Sequence, residues 1–284
     1  MKSSIVLIVI WAIAFGLTSA ISGQDGRILG LPITVAVCFF VFAIQWLAFI
    51  PAYLKQTERY YDLTGSLSFI SACAVLVISS EALSVFQLML AGIVCIWAMR
   101  LGSFLFYRIC QDGVDTRFND IKPNPLRFFI TWNMQGLWVV VTLAPVFVVL
   151  SSSVMPTINF TFYAGTTLAI LGIVIESIAD WQKRQFKRSD SSLPFITTGL
   201  WAHSRHPNYF GEIVVWLGVA LASFSWLHGL AYIALVSPLF VTLLLTKVSG
   251  VPLLENKADA RWGSLSAYQD YKRKTPVLVP FMRK

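Results

Sequence analysis

Eight runs of apolar residues, at about 4–22, 33–54, 64–80, 85–108, 127–150, 158–180, 211–226 and 228–247, alternate along the chain with shorter polar stretches. Most approach the ~20 residues that a membrane-spanning helix needs. The third and seventh are short, so a tilted, broken or partly buried helix is expected at those two places, and seven spans stays an alternative. The fold class that follows is all-α: a polytopic membrane helix bundle of seven or eight transmembrane helices. The first run, with Lys2 before it and small residues near Ala20, also has the outline of a signal peptide. Retention as a first span fits the charge distribution better.

Composition agrees with the pattern. Of 284 residues, 56% are hydrophobic and 13% charged, and the mean hydropathy is +0.69, whereas soluble domains average about half apolar and a quarter charged. An ordinary soluble domain is excluded. If eight helices alternate from an inside N-terminus, the outer segments lie near 23–32, 81–84, 151–157 and His228. Of the 22 lysines and arginines only Arg27 falls there. This positive-inside bias places both termini in the cytoplasm. The formal charge of +8 then expresses topology and attraction to anionic lipid head groups, not a nucleic-acid surface. Cys38, Cys73, Cys95 and Cys110 match no metal or disulfide framework and are assigned to packing. No repeat or long linker divides the chain, so residues 1–284 are expected to form one integral membrane domain.

The outer segments are too short to carry a site, whereas the inner segments at about 109–126, 181–210 and beyond 248 are long and polar. A functional site should open to the cytosol. In "LGIVIESIADWQKRQFKR", Glu176, Asp180 and Arg184 recur every four residues and share one helix face, with Lys187 close by. Ion pairs closing a helix end are one reading of that row. An ionisable group inside a membrane costs on the order of 3 kcal/mol at the helix centre, which makes Glu176 and Asp180 functional candidates. Arg100 lies eight residues before Arg108, roughly 12 Å deeper along the helix. It is expected to meet a phosphate or an acid. Asp62, in "RYYDLTGS", is either a helix cap or a catalytic acid.

The stretch "HSRHPNYFGE" gathers the remaining chemistry. Pro207 suits a helix's first turn, with Asn208 and Glu212 one turn apart on the same face. A helix starting there presents free amides and a positive dipole end beside Arg205 and His206, which suits a phosphate or another anion. Asn208, Tyr209 and Glu212 offer donors and acceptors to an amide, a ribose or an adenine. His203 and His206 lack a credible third zinc ligand, so no metal site is expected.

"GLWAHSRHPNYFGEIVVWLG" and "SGVPLLENKADARWGSLSAYQDYKRKTPVLVPF" resemble the C-terminal half of the bacterial DUF1295 branch of the steroid 5α-reductase family. "YDLTGS", "WAMRLGSFLFYR" and "WNMQG" resemble upstream segments of the same family. The resemblance implies a bundle of membrane helices that uses NADPH to reduce the carbon–carbon double bond of an enone lipid such as a 3-oxo-Δ4 steroid. It also implies residence in a bacterial inner membrane, with a cytoplasmic cofactor site in about residues 171–284. By position, Asp180, Arg184, Asn208 and Glu212 match cofactor-contacting residues, and Arg100 and Arg108 match basic residues of the earlier helix. Asp62 matches the acidic member of the catalytic pair. Glu176, Lys187, Arg205, His206, Tyr209 and Tyr271 join them as candidate cofactor contacts.

Two positions depart from the family's pattern: Glu176 stands where an asparagine is usual, and Trp97 where the catalytic tyrosine is expected. The phenol then falls to Tyr60 or Tyr61, and Tyr61 is carried forward as the catalytic candidate. Trp97 and Gln135 are set as pocket-lining residues for a flat apolar substrate. Arg-His-Pro-x-Tyr-x-Gly is shared with membrane methyltransferases of the isoprenylcysteine carboxyl type, which bind S-adenosylmethionine. That cofactor has no phosphate, so Arg100, Arg108, Arg184, Lys187 and Arg205 favour the dinucleotide. A transporter or non-catalytic lipid-binding protein is the third reading, disfavoured by the lack of internal symmetry.

Overall fold

The computed structural model describes residues 2–23, 26–80, 82–154, 156–189 and 191–282. It is all-α, with eight helical segments long and apolar enough to cross a membrane. The polytopic membrane bundle expected from the pattern is therefore what the chain forms, with eight candidate spans. The Cα positions group into two compact units: Met1–Phe162 with Ala222–Ser237, and Tyr163–Leu221 with Pro238–Lys284.

The first unit holds α1 (Lys2–Ala20), α2 (Ile33–Leu54), α3 (Tyr61–Ser79), α4 (Val85–Asp112) and α5 (Pro125–Ser151). Between α1 and α2 the chain makes a two-residue antiparallel ladder, β1 (Arg27–Ile28) with β2 (Leu31–Pro32), which hydropathy gave no reason to expect. The other four helices all pack against α5. Every residue of α5 from Val139 to Leu150 is buried, which explains why that run is apolar on all faces. Two of its polar contacts are neutral and tie helices together. Asn133 Oδ1 accepts from Trp11 Nε1 at 2.9 Å and Trp46 Nε1 at 3.1 Å, which ties α1 and α2 to α5. Gln87 Nε2 donates to the carbonyls of Val149 and Ser152 at 2.7 and 3.0 Å.

The second unit holds most of α6 (Phe160–Arg188) and α7 (Pro207–Ser223), then α8 (Val236–Leu243), α9 (Val251–Trp262) and α10 (Ser266–Lys274). Glycine sets how closely α6 and α7 approach. A Cβ at Gly218 would stand 2.3 Å from the Ala169 backbone nitrogen, and one at Gly211 would stand 2.7 Å from that of Glu176. Only a hydrogen side chain permits backbones that near, as is common between membrane helices.

Both short runs are helical: the third is a 19-residue helix, and the seventh, largely buried, runs from Pro207 through a 3-10 turn to Trp226. The eighth is the irregular one. It passes from a 3-10 stretch at Gly229–Leu235 through α8 to a π turn at Leu244–Val248, and then to α9. The polar segments after the fourth and sixth runs also begin as helix, because α4 continues to Asp112 and α6 to Arg188.

Candidate functional site

In the second unit the glycine contact at Gly211 brings Glu176 of α6 against the start of α7. A Cβ at Gly211 would lie 2.9 Å from Glu176 Cβ, so Glu176 sits beside the turn that carries Asn208 and Glu212. Along α6 the row Glu176, Asp180, Arg184 and Lys187 grades from buried to exposed. Glu176 and Asp180 are only 2% and 5% exposed and Glu212 only 8%. Each of these residues also has electrostatic or hydrogen-bonding company in the fold.

The helix begins at Pro207, as its ring predicts. Just before it, Arg205 and His206 are buried and share one carboxylate, Glu255 of α9. Arg205 Nη2 lies 3.2 Å from Glu255 Oε2, and His206 Nε2 lies 2.9 Å from Oε1. Lys272 of α10 stands 3.7 Å from the same carboxylate and bonds Asp259 at 2.6 Å. The backbone is tied down too: Arg205 N donates to the Pro276 carbonyl at 3.0 Å, and Ser204 Oγ to that of Leu278 at 2.7 Å. Tyr271 donates its phenol to the Trp201 carbonyl at 2.7 Å. Burial pushes that phenol's pKa up, so it stays a donor. The ring of Tyr209 stacks on His206 at 5.7 Å and 11°.

Burial lowers the pKa of His206, and its hydrogen bond to Glu255 only partly opposes this. The neutral ring therefore donates its Nε2 hydrogen to Glu255, which leaves the buried Nδ1 as an acceptor. His206 Nδ1, Asn208 Oδ1 and Arg205 Nε are buried atoms with no hydrogen-bond partner among the described residues. A buried polar group left without a partner costs about 1–3 kcal/mol. Two acceptors and one donor at a helix start, with Glu212 one turn on and Glu176 against Gly211, could meet hydroxyls and amides of a ligand.

The first unit gathers a separate set. Asp62 is the second residue of α3, whose cap residue is Tyr60 and makes no side-chain cap bond. The cap reading of Asp62 is thus corrected: its carboxylate instead lies 3.8 Å from Arg108 Nη2. Tyr61 donates its phenol to the Thr131 carbonyl at 3.0 Å and meets Phe118 and Trp132 edge-on. Glu58 holds this corner together. It accepts from the Asp115 amide at 2.8 Å and pairs with Lys122, which fastens the α4–α5 connection over Tyr61.

Trp97 is fully buried, edge-on to Phe69 at 5.2 Å. Gln135 is 4% exposed and its Oε1 has no partner among the described residues. A Cβ at Gly65 would fall 2.7 Å from its Nε2. Arg100 is half-buried on α4, two turns before Arg108.

Glu255 and Glu58 were not singled out from sequence, although each stands within two residues of a basic side chain. Glu255 and Asp259 also stand four apart, the spacing of one helix face.

Comparison with known proteins agrees with the resemblance. The model of a family described as "Protein of unknown function (DUF1295)" matches residues 48–275. The chain is also 30% identical over 122 residues to 3-oxo-5-alpha-steroid 4-dehydrogenase 1 of Rattus norvegicus, a match that covers 43% of this chain and 42% of the rat protein. Its counterpart in Mus musculus is 29% identical over the same number of residues and shares. The chain thus spans about two fifths of the length of the curated relatives it matches.

Proposed function

The chain belongs to the DUF1295 family, a steroid 5α-reductase-like family of integral membrane proteins, and from that premise we propose that it is an NADPH-dependent reductase. The reaction is transfer of a hydride to the β-carbon of an enone lipid such as a 3-oxo-Δ4 steroid. The observation that carries the reading is the set of buried, unanswered acceptors and donor at the start of α7, with Glu212 one turn on and Glu176 against Gly211. The names of the two relatives support hydride transfer over the methyl-transfer alternative.

Asn208 Oδ1 and His206 Nδ1 would accept from amide or hydroxyl groups of the nucleotide, and Glu176, Asp180 and Glu212 from ribose hydroxyls. Arg184 and Lys187 on α6 provide charge for its phosphates. Arg205, Tyr209 and Tyr271 hold the α7 start in shape. When bound, NADPH supplies the hydride. Asp62 polarises the ketone oxygen, either carrying a proton or orienting a phenol. The Tyr61 phenol must exchange its bond to the Thr131 carbonyl to serve there. Arg108 sets a positive charge beside Asp62, which stabilises the negative oxygen that builds up in the transition state. Trp97 and Gln135 bound the apolar space for the substrate, which enters from the lipid. The cofactor half is about residues 171–284, and both termini and the site face the cytoplasm of a bacterial inner membrane.

The test is direct. Purified protein given NADPH and testosterone or progesterone loses nicotinamide absorbance, and Asp62→Ala or Glu212→Ala abolishes that loss. Methyl transfer from labelled S-adenosylmethionine, without NADPH binding, would overturn the proposal.

A further inference from the structure

In the first unit, a groove of about 320 Å³ opens between the beginnings of α1 and α5, lined by Ser3, Val6, Ile121, Arg127, Ile130 and Thr131. The volume lies at the lower end of the range for ligand pockets. We propose that this groove is a binding site for an anionic glycerophospholipid, with the phosphodiester at Arg127 and Ser3 and the acyl chain along Val6 and Ile130.

The order of residues along the two helices carries the inference. Ser3 lies in the first turn of α1 and Arg127 in the first turn of α5. Val6 and Ile130 each lie three residues further on, about 4.5 Å deeper at 1.5 Å per residue. Both walls therefore run from polar to aliphatic in the same direction, which matches an amphiphile lying head-first at the helix starts. A free anion would have no use for the aliphatic half, and a neutral lipid none for the arginine.

Arg127 is available for such a head group. Its backbone amide caps onto Asn124 Oδ1 at 3.0 Å, and Nη1 donates to the Asp120 carbonyl at 3.3 Å. No carboxylate forms an ion pair with it among the described residues. The remaining N–H groups of the guanidinium form a planar fork that fits two phosphate oxygens together. Neighbouring cations differ: Lys122 is held by Glu58, and Arg117 by Asp115. Among the described residues, Arg127 is thus a cation of this corner left for an outside partner.

The site is tested with the full chain in mixed micelles containing equal phosphatidylglycerol and phosphatidylcholine, reading lipid adducts by native mass spectrometry. Phosphatidylglycerol should predominate, and Arg127→Gln should lower its adduct about fivefold. Ser3→Glu should expel it to a similar degree; an acid suits a helix's first turn, so that variant folds even if Arg127→Gln does not. Arg273→Gln, at an exposed arginine paired with Asp270 on α10, should change nothing. Equal loss in Arg273→Gln would mean general surface attraction and overturn the site. So would unchanged binding in Ser3→Glu, or displacement of the lipid by glycerol 3-phosphate as readily as by whole phosphatidylglycerol.

Discussion

Around α5, Asn133 and Gln87 are neutral and answer to neutral partners, whereas just before α7 two buried basic side chains answer to one carboxylate. Asn133 serves two tryptophans, and Gln87 two carbonyls. Arg205 and His206 converge instead on Glu255, with Lys272 and Asp259 behind it. The difference teaches how each region tolerates change. A neutral pair can be replaced by apolar groups at little cost, because nothing charged is left behind. A shared carboxylate cannot, since removing it strands two buried basic groups together.

The sharpest way to break this contrast is Glu255→Ala, which should destabilise the second unit by roughly 3–5 kcal/mol. Thermal unfolding in detergent measures it, and a loss under 1 kcal/mol would show that the cluster carries no such weight. Next in size, Asp62→Asn should lower steroid-dependent NADPH oxidation about 100-fold, or about 2.7 kcal/mol in the barrier, with the unfolding temperature unchanged. Gly218→Ala should cost about 1–3 kcal/mol, because the added methyl meets backbone that cannot rotate away. It should also reduce nucleotide affinity if the α6–α7 approach sets the spacing of Glu176 from Asn208.

The smallest effect concerns pH. His206 resists a proton in the fold, and the unfolded chain takes one up near the ordinary value of about 6.5. Stability should therefore be level above that pH and decline as pH falls below it, until the folded ring titrates as well. Equilibrium unfolding between pH 7.5 and 5 checks the slope, and His206→Gln should flatten it.

Much of this was legible in the chain itself. Apolar run length fixes how many segments can cross a bilayer, because a backbone in lipid must bond within its own segment and helices alone do so here. Pro207 marked the start of α7 because its ring presets the helical φ. The four-residue spacing of Glu176, Asp180 and Arg184 put them on one face. Local rules reach that far and stop.

What folding alone decided is which groups meet across distance in sequence. Glu255 stands 49 residues from His206, and nothing local to either predicts that they hydrogen-bond. Asp62 could cap its own helix by propensity, yet its position past Tyr60 gave it to Arg108 on another helix. Periodicity and propensity act over a few residues, whereas ion pairs and close glycine contacts depend on how helices approach, and that is settled only when the whole chain packs.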